Sequence, residues 1–424
     1  MPKRSLAIVE VTPERELEPP PSKRQRVNPF STGAQPSTAS STGRPSTEAA
    51  FPGTGGNGAF SETKAKDEDA SCDAPEKNDE ITRIISWNVE TPVPFLDLRD
   101  AKSSALLASY FKAPPENPSL KHSFLRSFLK EWKWPDFVCL QEVRARPTDA
   151  DWKDAMRAAA NGVSRMQRDG EKGMRKDGGP TYTAYWALNA SSRGQRRFGV
   201  CTLVSHSWVS RIRQERTVDW DAEGRVHILE MDGWPLINVY ALNGSDYPWN
   251  DPRLERDPLA AALPQKTRNE RKREFNMLLL REVQDMQARG LRPVLIGDFN
   301  ISLTRLDCYP RLRTEAPHSL ARKQFNEAFI PQAGVVDVFR HVHGGEKGYS
   351  WFAKGKPVGR DCARVDYALV DRRLVEGESG QEGRVAGTGY GGKSEGKSDH
   401  GVVWLNLRSM RDLKPAKSTV KEVE

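Results

Sequence analysis

Seven short runs along this chain are rich in β-branched or aromatic residues and bounded by Gly, Pro, Asn or Asp: Ile84-Ile85, Phe137 to Leu140, Val200 to Val204, Leu236 to Tyr240, Val294 to Ile296, Val365 to Val370 and Val402 to Leu407. Such runs read as buried strands. Amphipathic stretches lie between them. From about Arg268 to Arg289, Phe275, Leu279, Val283 and Met286 recur on one helical face, and Gly290 followed by Pro293 marks the stop. Ser103 to Phe111 and Ser319 to Phe329 read as further helices, and the Gly-rich charged segments Asn161 to Gly179 and Gly377 to Gly396 as surface loops. No internal repeat interrupts this alternation. Strands and helices interleaved in this order predict one layered α/β domain.

The ends of those runs carry the chemistry. Ser86-Trp87-Asn88, Leu140-Gln141-Glu142-Val143, Gly297-Asp298-Phe299-Asn300, Arg364-Val365-Asp366-Tyr367 and Ser398-Asp399-His400 each place a carboxylate, carboxamide or imidazole beside an apolar run. Strand ends present polar groups to a ligand in this way. Hydrolysis of a phosphodiester needs a base for the water and donors for the charge building on the phosphoryl oxygens, and Asp298 and Asn300 are the right types. Glu142, after Phe137 to Leu140, is a carboxylate that a hard divalent cation can use. A His held by a carboxylate can be oriented, kept positive and aimed at a phosphate, which suits Asp366 and His400 on strands expected to be neighbours. Each segment alone is common. Five in order point to metal-dependent phosphodiester chemistry.

Composition limits where this chemistry sits. Residues 1–80 contain Pro19-Pro20-Pro21, a Ser/Thr/Gly/Pro run from Ser31 to Thr47 and the glycine-rich stretch 53–58, with almost no apolar periodicity. Burial cannot offset the entropy of ordering such a leader, so disorder is expected there. The folded domain is expected over 81–408, with a charged tail over 409–424. The leader has 10 basic and 13 acidic residues, which moves the whole-chain +8 to +11 over residues 81–424. That excess favours a polyanion, be it DNA, RNA or an anionic membrane surface. No run of eighteen apolar residues and no apolar signal core occurs, so a soluble intracellular protein with no membrane span is expected. Five dispersed cysteines, Cys72, Cys139, Cys201, Cys308 and Cys362, lack metal-type spacing and read as buried or incidental thiols. Lys3-Arg4 and Lys23-Arg24-Gln25-Arg26 read as a nuclear import address.

With these residues in hand, the chain resembles the endonuclease/exonuclease/phosphatase superfamily, and within it the exonuclease III type of apurinic/apyrimidinic endonuclease. The five segments carry the broad likeness. Asp221-Ala222-Glu223-Gly224-Arg225-Val226, Asn238 to Asn243, Asp307, His318 to Phe329, Val336-Asp337-Val338-Phe339-Arg340 and Tyr349-Ser350-Trp351-Phe352 narrow it to that branch. The resemblance runs from about Arg83 to Leu407.

It implies a DNase I-like fold: a four-layer sandwich of two mixed β-sheets flanked by helices. It further implies Mg²⁺, with Mn²⁺ as a substitute, held chiefly by Glu142 and Glu90 with help from Asp399, and with Asn88, Asp298, Asn300 and His400 around the ion. Asp298 would activate the water, Asn300 would stabilise the transition state, and His400, oriented by Asp366, would hold a phosphate oxygen. Tyr240 and Asn243 match phosphate-side positions, and Arg193, Arg196 and Arg197 lie in a loop that faces DNA in the family. The implied partner is duplex DNA with an abasic or blocked 3′ site, cut by a nuclear, monomeric repair enzyme with possible exonuclease or 3′-phosphodiesterase activity. Two departures stand out. The chain reads Asn88-Val89-Glu90-Thr91-Pro92 where the family continues with Asn- or Asp-Gly-Leu-Arg, and Cys362-Ala363 stands where an aromatic residue walls the sugar pocket. Other phosphodiesterases of the superfamily, acting on RNA, a protein-linked DNA end or a phospholipid, therefore stay open, as does a catalytically weakened nucleic-acid-binding member.

Overall fold

The computed structural model describes residues 80–91, 124–162, 177–191, 197–254, 259, 265–378, 380–393 and 398–416. The leader with its two basic clusters, the helix expected at Ser103 to Phe111, Arg193, Arg196, most of the 161–179 segment and the end of the tail lie outside the described residues.

In chain order the strands are β1 (Ile81–Asn88), β2 (Phe137–Gln141), β3 (Tyr182–Ala187), β4 (Val200–Ser205), β5 (Gln214–Thr217), β6 (Val226–Glu230), β7 (Pro235–Tyr240), β8 (Val294–Asp298), β9 (Cys308–Tyr309), β10 (Val335–Asp337), β11 (Trp351–Phe352), β12 (Cys362–Ala363), β13 (Asp366–Asp371), β14 (Val385–Lys393) and β15 (Gly401–Arg408). They form two six-stranded mixed sheets, ordered β14-β15-β1-β2-β4-β3 and β10-β13-β8-β7-β6-β5, with a small β11-β12-β9 sheet beside them. The seven strands read from the sequence are all present. Their near-continuous apolar runs follow from burial on both faces.

Three apolar layers account for that burial. Ile84, Phe137, Val204 and Leu405 of the first sheet meet Leu236, Val294, Ile296 and Val370 of the second. On the far side of the first sheet, helices α1 (Phe124–Glu131) and α2 (Ala150–Asn161) cover Trp87, Leu140 and Val402. On the far side of the second, α3 (Arg268–Ala288) sets Phe275, Leu279, Val283 and Met286 against Ile237, Leu295 and Leu369. The fold is thus the expected four-layer sandwich. Each such fully buried side chain contributes about 2 kcal/mol of transfer free energy, so these faces fix the layers. Gln141 donates to Asn238 Oδ1 at 2.8 Å and ties the two sheets together by a buried polar contact.

Helix α3 begins with a reciprocal capping box between Thr267 and Glu270 and stops before Gly290, whose φ is +80°. The stretch read as one helix over 319–329 starts at His318, runs through a π-helical turn at Phe325–Phe329, and continues over Ile330–Ala333. Phe325 and Phe329 stack there with centroids 4.5 Å apart. The segment read as a loop over 377–396 instead contains β14. Its glycines are the reason: a Cβ on Gly387 or Gly389 would lie 3.3 or 2.8 Å from the Trp404 ring, so the bare backbone makes room for the indole of the paired strand.

Candidate active site

Strand register gathers the polar ends. β1 and β2 are parallel with Asn88 opposite Gln141, so Asn88 and Glu142 emerge side by side from the first sheet. In the second sheet, parallel β7 and β8 pair Tyr240 with Asp298, and antiparallel β8 and β13 pair Asp298 with Asp366. Tyr240, Asp298 and Asp366 therefore stand in a row. His400, just before β15, approaches from the first sheet and places Nδ1 2.8 Å from Asp366 Oδ2. The two were expected on neighbouring strands; in fact β13 and β15 belong to different sheets, and the contact crosses between them.

Backbone conformation aims these groups. Glu90, Glu142 and Asn300 have φ of +56°, +56° and +51°, a left-handed conformation that non-glycine residues keep only where their surroundings enforce it. Gly297 has φ +146°, and a Cβ there would sit 2.0 Å from Val239 O. Only glycine lets β8 press against β7 beside Asp298.

Asn88 links the two halves: its Nδ2 donates to Asp298 Oδ2 at 3.0 Å and to Glu142 Oε1 at 3.3 Å. Tyr240 Oη donates to Glu142 Oε1 at 2.8 Å, and Arg144 donates to Glu142 Oε2 at 2.6 Å. Asp298 Oδ1 accepts from Asn300 N at 2.7 Å, and Oδ2 accepts from Asn300 Nδ2 at 3.1 Å. Asn300 Nδ2 also reaches Ala241 O at 3.0 Å, so both its amide hydrogens are engaged by the protein. Asp366 Oδ1 is buried without a hydrogen-bond partner among the described residues.

Burial and like charge set the protonation states. Asp298 is fully buried and faces Asp366, which together push its carboxyl up to about 7 against the opposing pull of His400. Burial opposes charge on His400, but the Asp366 carboxylate outweighs it and lifts the imidazole to about 10. Tyr240 is held well above the usual phenol range by burial and by Glu142. Tyr240 is thus a donor, His400 an imidazolium and Asp298 a base poised near neutrality.

Glu142, Tyr240, Asp298, Asn300 and His400 line one cleft of about 440 Å³, together with Glu90, Asn243, Arg311, Arg313, Asp399 and the β9 and β12 residues Cys308, Cys362 and Ala363, while Asp366 and Asn88 bond to His400 and Asp298 without lining it. Among the described residues, one group of metal-competent side chains has ligand atoms within 4.8 Å of each other: Asp298, Asp366 and His400. Glu90, Glu142 and Asp399 line the same cleft without forming so close a group. Glu90 is paired with Lys354, and Asp399 Oδ2 accepts from Trp351 Nε1 at 3.3 Å. Glu90 and Glu142, which here carry the cations of Lys354 and Arg144, are hard oxygen donors of the type a divalent cation takes. Arg197 is exposed, and Asn243 O accepts from Arg268 Nε at 3.3 Å.

Sequence reading missed the groups that brace this site. Arg271-Lys272-Arg273 reads as the outer face of α3, yet Arg271 and Lys272 are buried, and Lys272 lines the cleft. Burial, reinforced by Arg225 and Arg268 and opposed by Asp298, lowers its ammonium to about 7. Arg225 pairs with Glu223 at 2.7 Å and lies 4.7 Å from the Tyr240 ring centroid, steadying that ring from behind. Arg364 binds Asp307 at 2.7 Å and Asp337 at 2.7 Å, anchoring the approach to Asp366. The strings around Asp221, Asp307 and Asp337 were the signal for these supports.

Over residues 85–400 the sequence matches the profile of the family described as Endonuclease/Exonuclease/phosphatase. It is similar to a DNA-(apurinic or apyrimidinic site) endonuclease of Dictyostelium discoideum, 21% identical over 72% of this chain and 67% of that protein. An exodeoxyribonuclease of Streptococcus pneumoniae is 27% identical over 37% of this chain, and the match spans about half, 52%, of that relative. Among solved structures, the apurinic/apyrimidinic endonuclease LMAP of Leishmania major aligns with a TM-score of 0.50 and 18% identity, covering 78% of this chain and 88% of that one. That last likeness is one of fold.

Proposed function

The chain belongs to the Endonuclease/Exonuclease/phosphatase family, and from that premise we propose that it is a divalent-metal-dependent DNA phosphodiester hydrolase, an apurinic/apyrimidinic endonuclease with 3′-processing activity in base excision repair. One observation carries the reading: a buried Asp298, a His400 held by buried Asp366, and Glu142 held by Tyr240 open onto a single cleft. The names of the similar proteins supply the substrate class.

Asp298 takes the proton of the attacking water, with Asn88 and Asn300 holding its two oxygens. His400, fixed through Nδ1 by Asp366, directs Nε2–H at a phosphoryl oxygen and offsets charge as it builds. Asn300 orients Asp298, since its amide hydrogens are already engaged. Tyr240 holds Glu142, and Glu142, Glu90 and Asp399 would hold Mg²⁺, with Mn²⁺ as substitute. The ion supplies charge neutralisation at the scissile phosphate and the leaving oxygen.

The test is a duplex carrying one tetrahydrofuran abasic analogue, incubated with the protein and Mg²⁺ beside an undamaged duplex, a 3′-blocked nick and single-stranded RNA. Cleavage 5′ to the lesion, abolished by EDTA and restored by Mg²⁺, is expected. Asp298→Asn and His400→Ala should each cost on the order of a hundredfold or more. Cutting of RNA with the abasic duplex left whole would refute the substrate, and variant rates within a few-fold of wild type would refute the mechanism.

A further inference from the structure

Lys272 sits on the first turns of α3 and is 3% exposed. Its Nζ donates to three backbone carbonyls: Leu242 O at 2.9 Å, Phe299 O at 3.4 Å and Asn300 O at 2.6 Å. The first belongs to the segment that follows Tyr240, the other two to the segment that follows Asp298. These segments already touch, because Ala241 N donates to Asp298 O at 2.7 Å and Asn300 Nδ2 donates to Ala241 O. Lys272 closes that junction, with its Nζ in reach of all three carbonyls.

Packing alone does not explain a lysine there. The same helix face continues with Phe275, Leu279 and Val283, and an apolar side chain would avoid the cost of desolvating an ammonium. What the lysine adds is a hold on Asn300, whose left-handed backbone turns its N–H and Nδ2 onto the two oxygens of Asp298. We propose that Lys272 is a positioning residue for hydrolysis: it locks the peptide at Asn300 against the segment after Tyr240, and through Asn300 fixes the carboxylate of Asp298. The inference rests on the hydrolase reading above. It assigns to the helix a task that neither the family motif nor the cleft chemistry names.

Lys272→Met keeps the length and removes the donors. With the abasic duplex and Mg²⁺, kcat should fall by about a hundredfold while KM stays within about threefold, the size expected when a reacting group is misplaced by roughly 1 Å. Because Lys272 acts through Asn300, Lys272→Met combined with Asn300→Ala should lose less than the product of the two single losses, the remainder passing through the main-chain N–H that alanine keeps. Val283→Ala, deep in the same helix face and away from the cleft, should leave kcat within about twofold. Independently of activity, hydrogen exchange of the Asn300 amide should speed up in Lys272→Met and not in Val283→Ala. Should Lys272→Met not fold, Lys272→Leu, which also lacks any donor, takes its place under the same criteria. A kcat within threefold of wild type, losses that multiply in the double variant, or unchanged exchange at Asn300 would each overturn the proposal. A wild-type chain that cleaves no DNA substrate would overturn the hydrolase reading instead, and the exchange comparison would still decide the role of Lys272.

Discussion

Asp366 acts on two neighbours in opposite functional senses. Its carboxylate raises both Asp298 and His400. The base must be deprotonated, so the rate should rise as pH passes through about 7. The clamp must be protonated, so the rate should fall as pH passes through about 10. Asp366→Asn leaves the burial that mainly raises Asp298 but removes the like charge that adds to it and the partner that lifts His400, so both limbs of the kcat/KM profile should move to lower pH; a profile whose limbs stay in place would contradict this pairing. Stability carries the reverse side of the same arrangement. Because Asp298 is raised, the folded chain holds a proton that the unfolded chain releases near pH 4, so folding loses stability as pH climbs from about 4 to about 7. Asp298→Asn removes that loss. In EDTA, urea unfolding at pH 8 should find this variant more stable than wild type, by up to a few kcal/mol, with the gain vanishing below about pH 4. A site tuned for chemistry should be a weak point of the fold.

At the scale of elements, legibility followed side-chain character. Strands rich in Val, Ile and Leu, such as β8, and the periodic face of α3 stood out because local preference and burial agree there. β14 did not, because its sequence, VAGTGYGGK, has little strand preference; pairing with β15 and the demands of Trp404 make it a strand. Lys272 is hidden for a related reason: a charged triplet on a helix signals solvent, and nothing local announces three carbonyls arriving from other segments. The residues of the five segments could be named beforehand, but the joining of Asp366 to His400 across two sheets depends on layer packing that no local pattern encodes. Gly297 tests how tightly two elements must meet to form the site. Gly297→Ala would drive a methyl into Val239 O and hold the alanine at an unfavourable φ. A loss on the order of 3 kcal/mol is expected in chemical denaturation, with β7 and β8 spreading and Tyr240 drawn away from Glu142. A variant within 0.5 kcal/mol of wild type would mean that the strands separate freely.

For the whole molecule the governing tension is charge. The cleft gathers Glu90, Glu142, Asp298 and Asp399, which repel a phosphate backbone, while residues 81–424 carry a formal +11. An anionic polymer can enter only if basic groups at the cleft mouth outweigh the acids at its floor, with a divalent cation lessening the contrast further. Arg311 and Arg313 line the cleft, beside the exposed ring of Tyr309. If these arginines contact phosphates, duplex affinity should fall by about tenfold or more between 50 and 200 mM KCl, in a sequence-independent way. Arg311→Glu with Arg313→Glu should weaken binding at low salt by about tenfold and flatten the slope of log Kd against log salt by about 1 to 2, because fewer counterions are released. Fluorescence anisotropy of a labelled duplex in Ca²⁺, to limit cleavage, reads both quantities. An unchanged slope would place the phosphate track elsewhere on the basic surface, and the cleft acids would then meet only the scissile group.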